Sequence, residues 1–195
     1  MTRTREAFQQ IRDESKKNIL DKAAEVFASK GLACTKISDL AKAAGISQGL
    51  LYRYFKSKDD VFSELLERAV QGAVQRAQAV NGLPGTPWEK LLWLTEQFLN
   101  GMSQEPMYHQ IFSQALALPG RTREIIKQLG TLRDVLYQLV IEGQASGQIA
   151  KHDPDQEVLL YLCCLYGLAA GAAISSREVR SHFPSAENIL QIFKA

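Results

Sequence analysis

The chain has 195 residues, of which 46% are apolar and 23% are charged, so its composition is that of an ordinary globular protein. No run of 18 apolar residues occurs and the N-terminal segment lacks the apolar core of a signal peptide, so we expect a cytoplasmic protein without a membrane span. Three cysteines without regular spacing exclude a disulfide framework, and we expect them to be small buried apolar residues.

Charge is unevenly distributed along the chain. Residues 1–60 carry 12 Lys and Arg against 8 Asp and Glu, whereas residues 61–195 carry 11 against 13. A basic N-terminal segment on a near-neutral body is what contact with a nucleic acid requires.

Helix signals dominate the N-terminal third. Apolar residues at helical spacing predict a helix over residues 18–31, which Gly31 ends. A second, short helix, "DLAKAA", is expected to start at Ser38 as its N-cap and to stop at Gly45. Ser47 is then the expected cap of a third helix, "QGLLYRYF".

The rest of the chain predicts longer helices and almost no strand. A capping-box variant, Ser57 with Asp60, precedes a long amphipathic helix that begins near Lys58. Further start signals occur at Thr86, Ser103, Asp153 and Ser185. We therefore expect an all-α protein of about nine helices. Its N-terminal domain, residues 1–58, would be a three-helix helix-turn-helix domain, and residues 59–195 a helical domain for ligand binding and dimerisation.

The second and third helices have the spacing of a helix-turn-helix motif. Ala41 is small where the two helices approach, and Gly45 lies in the turn. Leu51 and Phe55, four residues apart, are expected to face the first helix, which leaves the opposite face of the third helix free.

That free face has the size and chemistry of a helix that enters the DNA major groove. Gln48 suits a base edge, Gly49 allows close backbone approach, and Tyr52, Tyr54 and Arg53 suit phosphates. We expect these residues and several of their neighbours to contact DNA. The full set is Thr35, Lys36, Ser38, Ser47, Gln48, Gly49, Leu50, Tyr52, Arg53, Tyr54 and Lys58. The alternative is that the tyrosines are half-buried packing groups and the motif spacing is accidental.

Residues 19–62 resemble the DNA-binding domain of the TetR family of bacterial transcriptional regulators. The resemblance rests on "AAEVFASKG", "TKISDLAKAAGIS" and "QGLLYRYFKSKDDVF". Within them the family pattern is matched by Phe27, Gly31, Thr35, Leu40, Ala41, Ala44, Gly45, Gly49, Leu51, Tyr52, Phe55 and Lys58. The chain departs from the pattern at Tyr54, often His in the family, and at Leu50, often a polar residue.

The resemblance implies a homodimer that binds a near-palindromic DNA operator and is released by a small molecule. The two C-terminal helices are apolar enough to form the dimer interface, with candidates Leu162, Leu165, Gly167, Ala170, Gly171, Ile189 and Ile192. An apolar or aromatic effector would bind among aromatic and soft residues of the middle helices, the candidates being Trp93, Phe98, Met102, Met107, Tyr108, Phe112, Tyr137 and Tyr166. Such residues could equally be plain core.

Two functions from different classes remain open besides this one. The chain could be a DNA-binding adaptor of the same fold that is controlled by a protein partner or acts without an effector. A helical enzyme is the third, and little favours it: His109, His152 and His182 lie on separate segments without metal-ligand spacing, and no nucleotide-type glycine loop occurs. No cofactor or metal is expected.

Overall fold

The computed structural model describes residues 2–118, 125, 127, 129–174 and 182–194. Within these ranges it contains nine α-helices, one 3-10 turn over Gln191–Phe193, and no strand, as predicted for the fold class. The helices are α1 (Thr2–Cys34), α2 (Ile37–Ala43), α3 (Gln48–Tyr52), α4 (Lys58–Val80), α5 (Pro87–Gln104), α6 (Pro106–Leu116), α7 (Gly130–Ala145), α8 (Pro154–Ile174) and α9 (Ala186–Leu190).

The chain divides into two compact units, Met1–Arg68 and Ala69–Ala195. The division falls inside α4, which begins in the first unit and ends in the second. No helix among the described residues has the length and apolar character needed to cross a membrane.

Helix α1 begins 16 residues before the predicted start, at Thr2 rather than at residue 18. Its added turns contain neither Gly nor Pro and are linked by side-chain hydrogen bonds from Gln9 to Asp13 and from Gln10 to Glu14. Gly31, the predicted stop, interrupts the helical backbone with φ 73° and ψ 162°, a conformation that favours glycine.

The start of α2 differs from the sequence prediction. The helix begins at Ile37 and not after Ser38, which lies in its first turn. The Asp39 carboxylate accepts a hydrogen bond from the Lys36 backbone N–H at 3.0 Å and pairs with the Lys30 ammonium at 3.3 Å. These two groups hold the pKa of Asp39 below its usual value. An acidic side chain at the third helical position therefore secures this end in place of the expected serine cap.

The other helix starts largely follow the prediction. Ser47 caps α3, and Thr86 with Glu89 forms the capping box of α5. The Ser57 hydroxyl accepts from the Asp60 N–H, but the Asp60 carboxylate accepts from the N–H of Lys56, one residue earlier than in a regular box.

In the second unit, Asp153 accepts from the N–H groups of Asp155 and Gln156, and Ser185 caps α9. Ser103 does not start a helix, because α5 continues to Gln104 and α6 begins at Pro106. The Pro-Gly pair at residues 119–120 predicts the end of the helix expected to start at Ser103, and it lies outside the described residues.

The first unit has an apolar interior contributed by α1 to α4. In α1, Ile19, Leu20 and Phe27 are at most 2% exposed. The ring of Phe27 meets that of Phe62 of α4 edge-on, with 5.3 Å between centroids. Helix α1 also packs against α2, and α2 packs against α3.

In the second unit, α5 packs against α7 and α9, and α8 packs against α6 and α7. One hydrophobic cluster joins α4, α5, α7, α8 and α9, with the fully buried Leu91 of α5 and Tyr161 of α8 among its members. The cysteines correct a sequence prediction: Cys34 and Cys163 are exposed and Cys164 is partly exposed, so they do not serve as buried core residues.

Candidate nucleic-acid interface

A tight turn joins α2 to α3. The backbone N–H groups of Ala44, Gly45 and Ile46 donate to the carbonyl groups of Leu40, Lys42 and Ala41, all within 3.2 Å. Gly45 has φ 68°, in the left-handed region that residues with a side chain rarely adopt. Glycine at this position therefore suits the backbone conformation of the turn.

The two faces of α3 differ as the sequence predicts. Leu51 is 0% exposed and Phe55, just beyond the helix, is 2% exposed, so both hold α3 to the first unit. On the other face Tyr52 is 54% exposed. Gln48, Gly49 and Arg53 are also exposed, while Leu50 and Tyr54 are partly exposed. Helix α3 ends at Tyr52, three residues before the predicted end.

Gly49 lies open on this face. A Cβ atom placed there would meet only the Ser47 hydroxyl oxygen, at 3.9 Å, so no contact within the chain requires glycine at this position. Glycine costs helix stability relative to alanine. Packing within the chain therefore does not explain the glycine in this five-residue helix.

Two of the expected DNA contacts have other roles in the structure. The Thr35 side chain is 1% exposed, and its hydroxyl donates to the Gly31 carbonyl oxygen at 2.7 Å. The Lys58 ammonium donates to the carbonyl oxygens of Leu32 at 2.8 Å, Ala33 at 3.1 Å and Thr35 at 2.8 Å. An ammonium has three donors, so Lys58 has none left for a phosphate. It instead secures the C-terminal end of α1.

Lys42 and Lys56, which the sequence analysis did not select, are exposed near the motif helices. With Lys36 and Arg53 they form a set of four exposed cations, none of which is ion-paired within residues 2–68. The ion pairs observed in this unit involve other cations: Lys22 pairs with Glu25, Lys30 with Asp39, and Lys16 and Arg68 with Glu64. In the sequence, the available signal is that Lys42 lies within the second helix and Lys56 lies shortly after the third.

Comparison with known proteins identifies the first unit. Residues 19–65 match the profile of bacterial regulatory proteins of the tetR family. A fatty acid metabolism regulator protein from Bacillus subtilis is 32% identical over 136 residues, which is 67% of this chain and 69% of that protein. The chain belongs to the TetR family.

Other similarities to TetR-family proteins are more local or concern the fold. The transcriptional regulator AcrR of Shigella flexneri is 43% identical over 54 residues. This matched stretch covers 28% of this chain and only 25% of that relative. The crystal structure of FadR from Bacillus subtilis, in complex with stearoyl-CoA, superimposes with a TM-score of 0.73 at 19% identity, over 91% of this chain and 97% of that one. At this identity the likeness shows the fold. Family members are transcriptional regulators and not enzymes, in agreement with the sequence analysis.

In this TetR-family chain two small cavities lie inside the second unit. One, of about 50 Å³, is lined by Ala73, Arg76, Leu94, Phe98, Leu132, Leu136, Tyr161, Leu162 and Leu165. The other, of about 10 Å³, is lined by Met102, Pro106, His109, Gln110, Ala169 and Ala172. Of the predicted pocket residues, Phe98 lines the first cavity and Met102 the second. The others line neither: Trp93, Met107, Tyr108, Phe112, Tyr137 and Tyr166.

The ring contacts explain part of this difference. Phe112 packs against Tyr166 with 5.4 Å between ring centroids, and the Arg133 guanidinium lies over the Tyr137 ring at 5.9 Å. Burial raises the pKa of the Tyr166 hydroxyl to about 12. These aromatic residues contact one another or a cation and do not line either cavity.

Helix α8 presents an apolar stripe that differs from the predicted dimer interface. Leu165 is 6% and Ile189 3% exposed, because both belong to the core of their own unit. Leu162 and Ile192 pack partly against that core, and Gly171 is partly covered. Gly167 and Ala170 are exposed as expected. They share the outer side of α8 with Leu159, 63% exposed, Leu160, 55% exposed, and Cys163. We call these five residues the α8 stripe.

Proposed function

We propose that the protein is a dimeric repressor that binds a near-palindromic DNA operator through α3 and is released from it by an apolar effector. The observation that carries the DNA-binding half is the exposed face of α3. There an open glycine lies between Gln48 and Tyr52, and the buried Leu51 fixes the helix from behind.

Each exposed residue has a chemical role in this proposal. Gln48 at the helix start pairs with a base edge, for which adenine offers matching donor and acceptor groups. The Tyr52 hydroxyl and the guanidinium of Arg53 contact phosphates, which position the helix without reading sequence. Leu50, only partly exposed, is suited to a thymine methyl group. Lys36, Lys42 and Lys56 add phosphate contacts on either side.

The test uses Gly49→Ala, with DNA selected from a random library by the wild-type protein as the probe. Alanine fits the folded chain and has a better helix propensity, so we expect the unfolding free energy to be unchanged or to rise by up to about 1 kcal/mol. Affinity for the selected DNA should fall at least tenfold, because the added methyl group lies where the backbone approaches the groove. Fluorescence anisotropy and urea denaturation measure the two quantities.

Gln48→Ala is the matched control for specificity. We expect a second selection with this variant to return a changed base preference at one position of each half-site, at a cost of about 1–3 kcal/mol for the original sequence. Unchanged affinity of Gly49→Ala together with unchanged preference of Gln48→Ala would exclude α3 as the recognition helix.

The effector half of the proposal is supported by the second unit and by the relatives. Apolar side chains of α4, α5, α7 and α8 line the larger cavity. A fold relative, FadR of Bacillus subtilis, was crystallised with stearoyl-CoA, and the relative that is 32% identical is a fatty acid metabolism regulator. The cavity is smaller than the 300–1,000 Å³ typical of ligand pockets, so the effector must bind a more open arrangement.

Dimerisation completes the proposal. A C2 dimer would cover the α8 stripe with its own copy, since a stripe of leucines and small residues is self-complementary. Two copies of α3 would then reach half-sites about one helical turn of DNA apart. If no apolar compound releases the protein from DNA, control by a protein partner or operation without an effector replaces the effector half.

A further inference from the structure

The larger cavity contains one charged group in an otherwise apolar wall. Seven of its nine lining residues are Ala, Leu or Phe, and the remaining two are Tyr161 and Arg76. Arg76 is partly buried, on the part of α4 that belongs to the second unit. An arginine in such a wall favours a ligand whose head group carries carboxylate or phosphate oxygens.

Tyr161 does not supply a free donor to this cavity. The Thr95 hydroxyl donates to the Leu91 carbonyl oxygen at 2.7 Å, so the Tyr161 hydroxyl, 2.7 Å from the Thr95 oxygen, donates its hydrogen there. Both side chains are buried. The hydrogen-bonding capacity of the wall toward a ligand is therefore concentrated on the guanidinium of Arg76, with its five N–H donors.

No carboxylate neutralises Arg76 within the described part of the chain, where the ion pairs involve other residues. Two effects lower the pKa of the His109 imidazole to about 4. Burial is the larger effect, and the positive charge of Arg76 is the smaller one. His109 is thus neutral near pH 7 and adds no second positive charge. An anion that enters would be balanced by a single guanidinium.

The two cavities are separated by a pair of rings. Phe98 lines the larger cavity and His109 lines the smaller one, and the rings meet edge-on with 5.1 Å between centroids. Ala169 and Ala172 of α8 form part of the smaller cavity, where their short side chains leave room. A ligand that occupied both cavities would therefore have to displace these two rings.

We propose that the effector is an amphipathic anion whose negative head group pairs with Arg76 and whose apolar tail extends past Phe98 and His109 toward Ala172. This inference rests on the effector half of the proposed function and specifies its ligand class. The head group is a free carboxylate or the phosphates of an acyl coenzyme A thioester, since both offer oxygens that a guanidinium binds in pairs.

The test compares three twelve-carbon probes on the full-length protein by isothermal titration calorimetry: dodecanoate, dodecan-1-ol and dodecanoyl-CoA. We expect dodecanoate or dodecanoyl-CoA to bind at least about tenfold more tightly than the neutral alcohol. Arg76→Gln should abolish that preference while affinity for the alcohol stays within about twofold, and Arg76→Lys should keep part of it. Preference for dodecanoyl-CoA alone assigns the anion to the coenzyme.

Arg133→Gln is the matched control, because Arg133 is an exposed arginine paired with Asp155 and Asp134 and lines neither cavity. It should keep the full preference for the anion. For the tail, Ala172→Phe should weaken binding of the twelve-carbon anion and leave hexanoate unaffected. Circular dichroism and thermal melting verify that each variant is folded.

The outcomes separate this inference from the proposed function. Equal affinity for the alcohol and both anions, or a preference that survives in Arg76→Gln, would overturn the anion inference and leave an apolar effector in place. If none of the three probes binds or releases selected DNA, both the inference and the effector half of the proposed function fail.

Discussion

Lys58 shows how one side chain can be assigned the wrong partner from sequence. A lysine at the start of α4 suggests a phosphate contact, because it follows α3 by only six residues. In the folded chain its ammonium is surrounded by three carbonyl oxygens at the end of α1. The residue therefore links the start of α4 to the end of α1.

The replacement Lys58→Met should lower the unfolding free energy by about 1.5–3 kcal/mol, because it removes charge-assisted hydrogen bonds and leaves helix-end carbonyls unpaired. It should leave the slope of log affinity against log salt for DNA unchanged. Urea denaturation and anisotropy titrations at several salt concentrations measure these quantities.

Lys56→Met is its matched control, since Lys56 is exposed and two residues away. We expect this variant to keep its stability and to lose about one unit of salt slope per protomer, as a phosphate contact would. If Lys58→Met instead kept its unfolding free energy and lost salt slope, Lys58 would be a DNA contact after all.

His109 makes stability depend on pH in the mildly acidic range. Its pKa lies at about 4 in the folded chain and near 6.5 when exposed, so between these values the unfolded state binds a proton that the folded state does not. The unfolding free energy should therefore fall as pH decreases from 6.5 to 4, by roughly 1–3 kcal/mol from this residue.

The measurement is urea denaturation at pH 7.5 and 5.0 for the wild type and His109→Gln. Glutamine does not titrate, so the variant should lose less stability than the wild type on acidification. An equal loss in both proteins would mean that other groups produce the pH dependence.

At the scale of elements, α8 shows which features of a helix its sequence predicts and which it does not. The sequence predicted its existence and its start, because the aspartate cap and the following proline act locally. It did not predict which side faces the core, since a helix that is apolar on all sides gives no preferred face. The sequence pattern therefore places Leu165 in a dimer interface although it packs in its own unit, and the same pattern does not indicate that Leu159 and Leu160 are exposed.

The α8 stripe gives a direct test of dimerisation. Leu160→Glu places a charge where the proposed interface is dry, and symmetry applies the cost twice. We expect the mass measured by light scattering at micromolar concentration to fall from twice 21.7 kDa toward 21.7 kDa. Ile141→Glu on α7, another exposed aliphatic residue, should remain a dimer. If Leu160→Glu also retains the dimer mass, the interface lies elsewhere.

At the scale of the whole molecule, sequence reasoning succeeded where the cause is local and failed where it is distant. Ser47, Thr86 and Asp153 cap helices through atoms three residues away or closer, so their patterns were readable. The partners of Lys58 are 23 to 26 residues away and are backbone atoms, which no residue pattern identifies. Arg76 and His109, which come from α4 and α6, were missed as a pair for the same reason.

The shortness of α3 has a consequence for exchanging operator preference between relatives. Five residues are too few to form a helix in isolation, so the conformation of α3 is imposed by the Ser47 cap and by the buried Leu51 and Phe55. A chimera that exchanges only the exposed positions should keep the host's stability and acquire the donor's sequence preference. A peptide containing α3 alone would be unstructured. In the proposed DNA-binding mode, sequence preference depends on the exposed side chains of α3, whereas the conformation of α3 depends on the rest of the first unit.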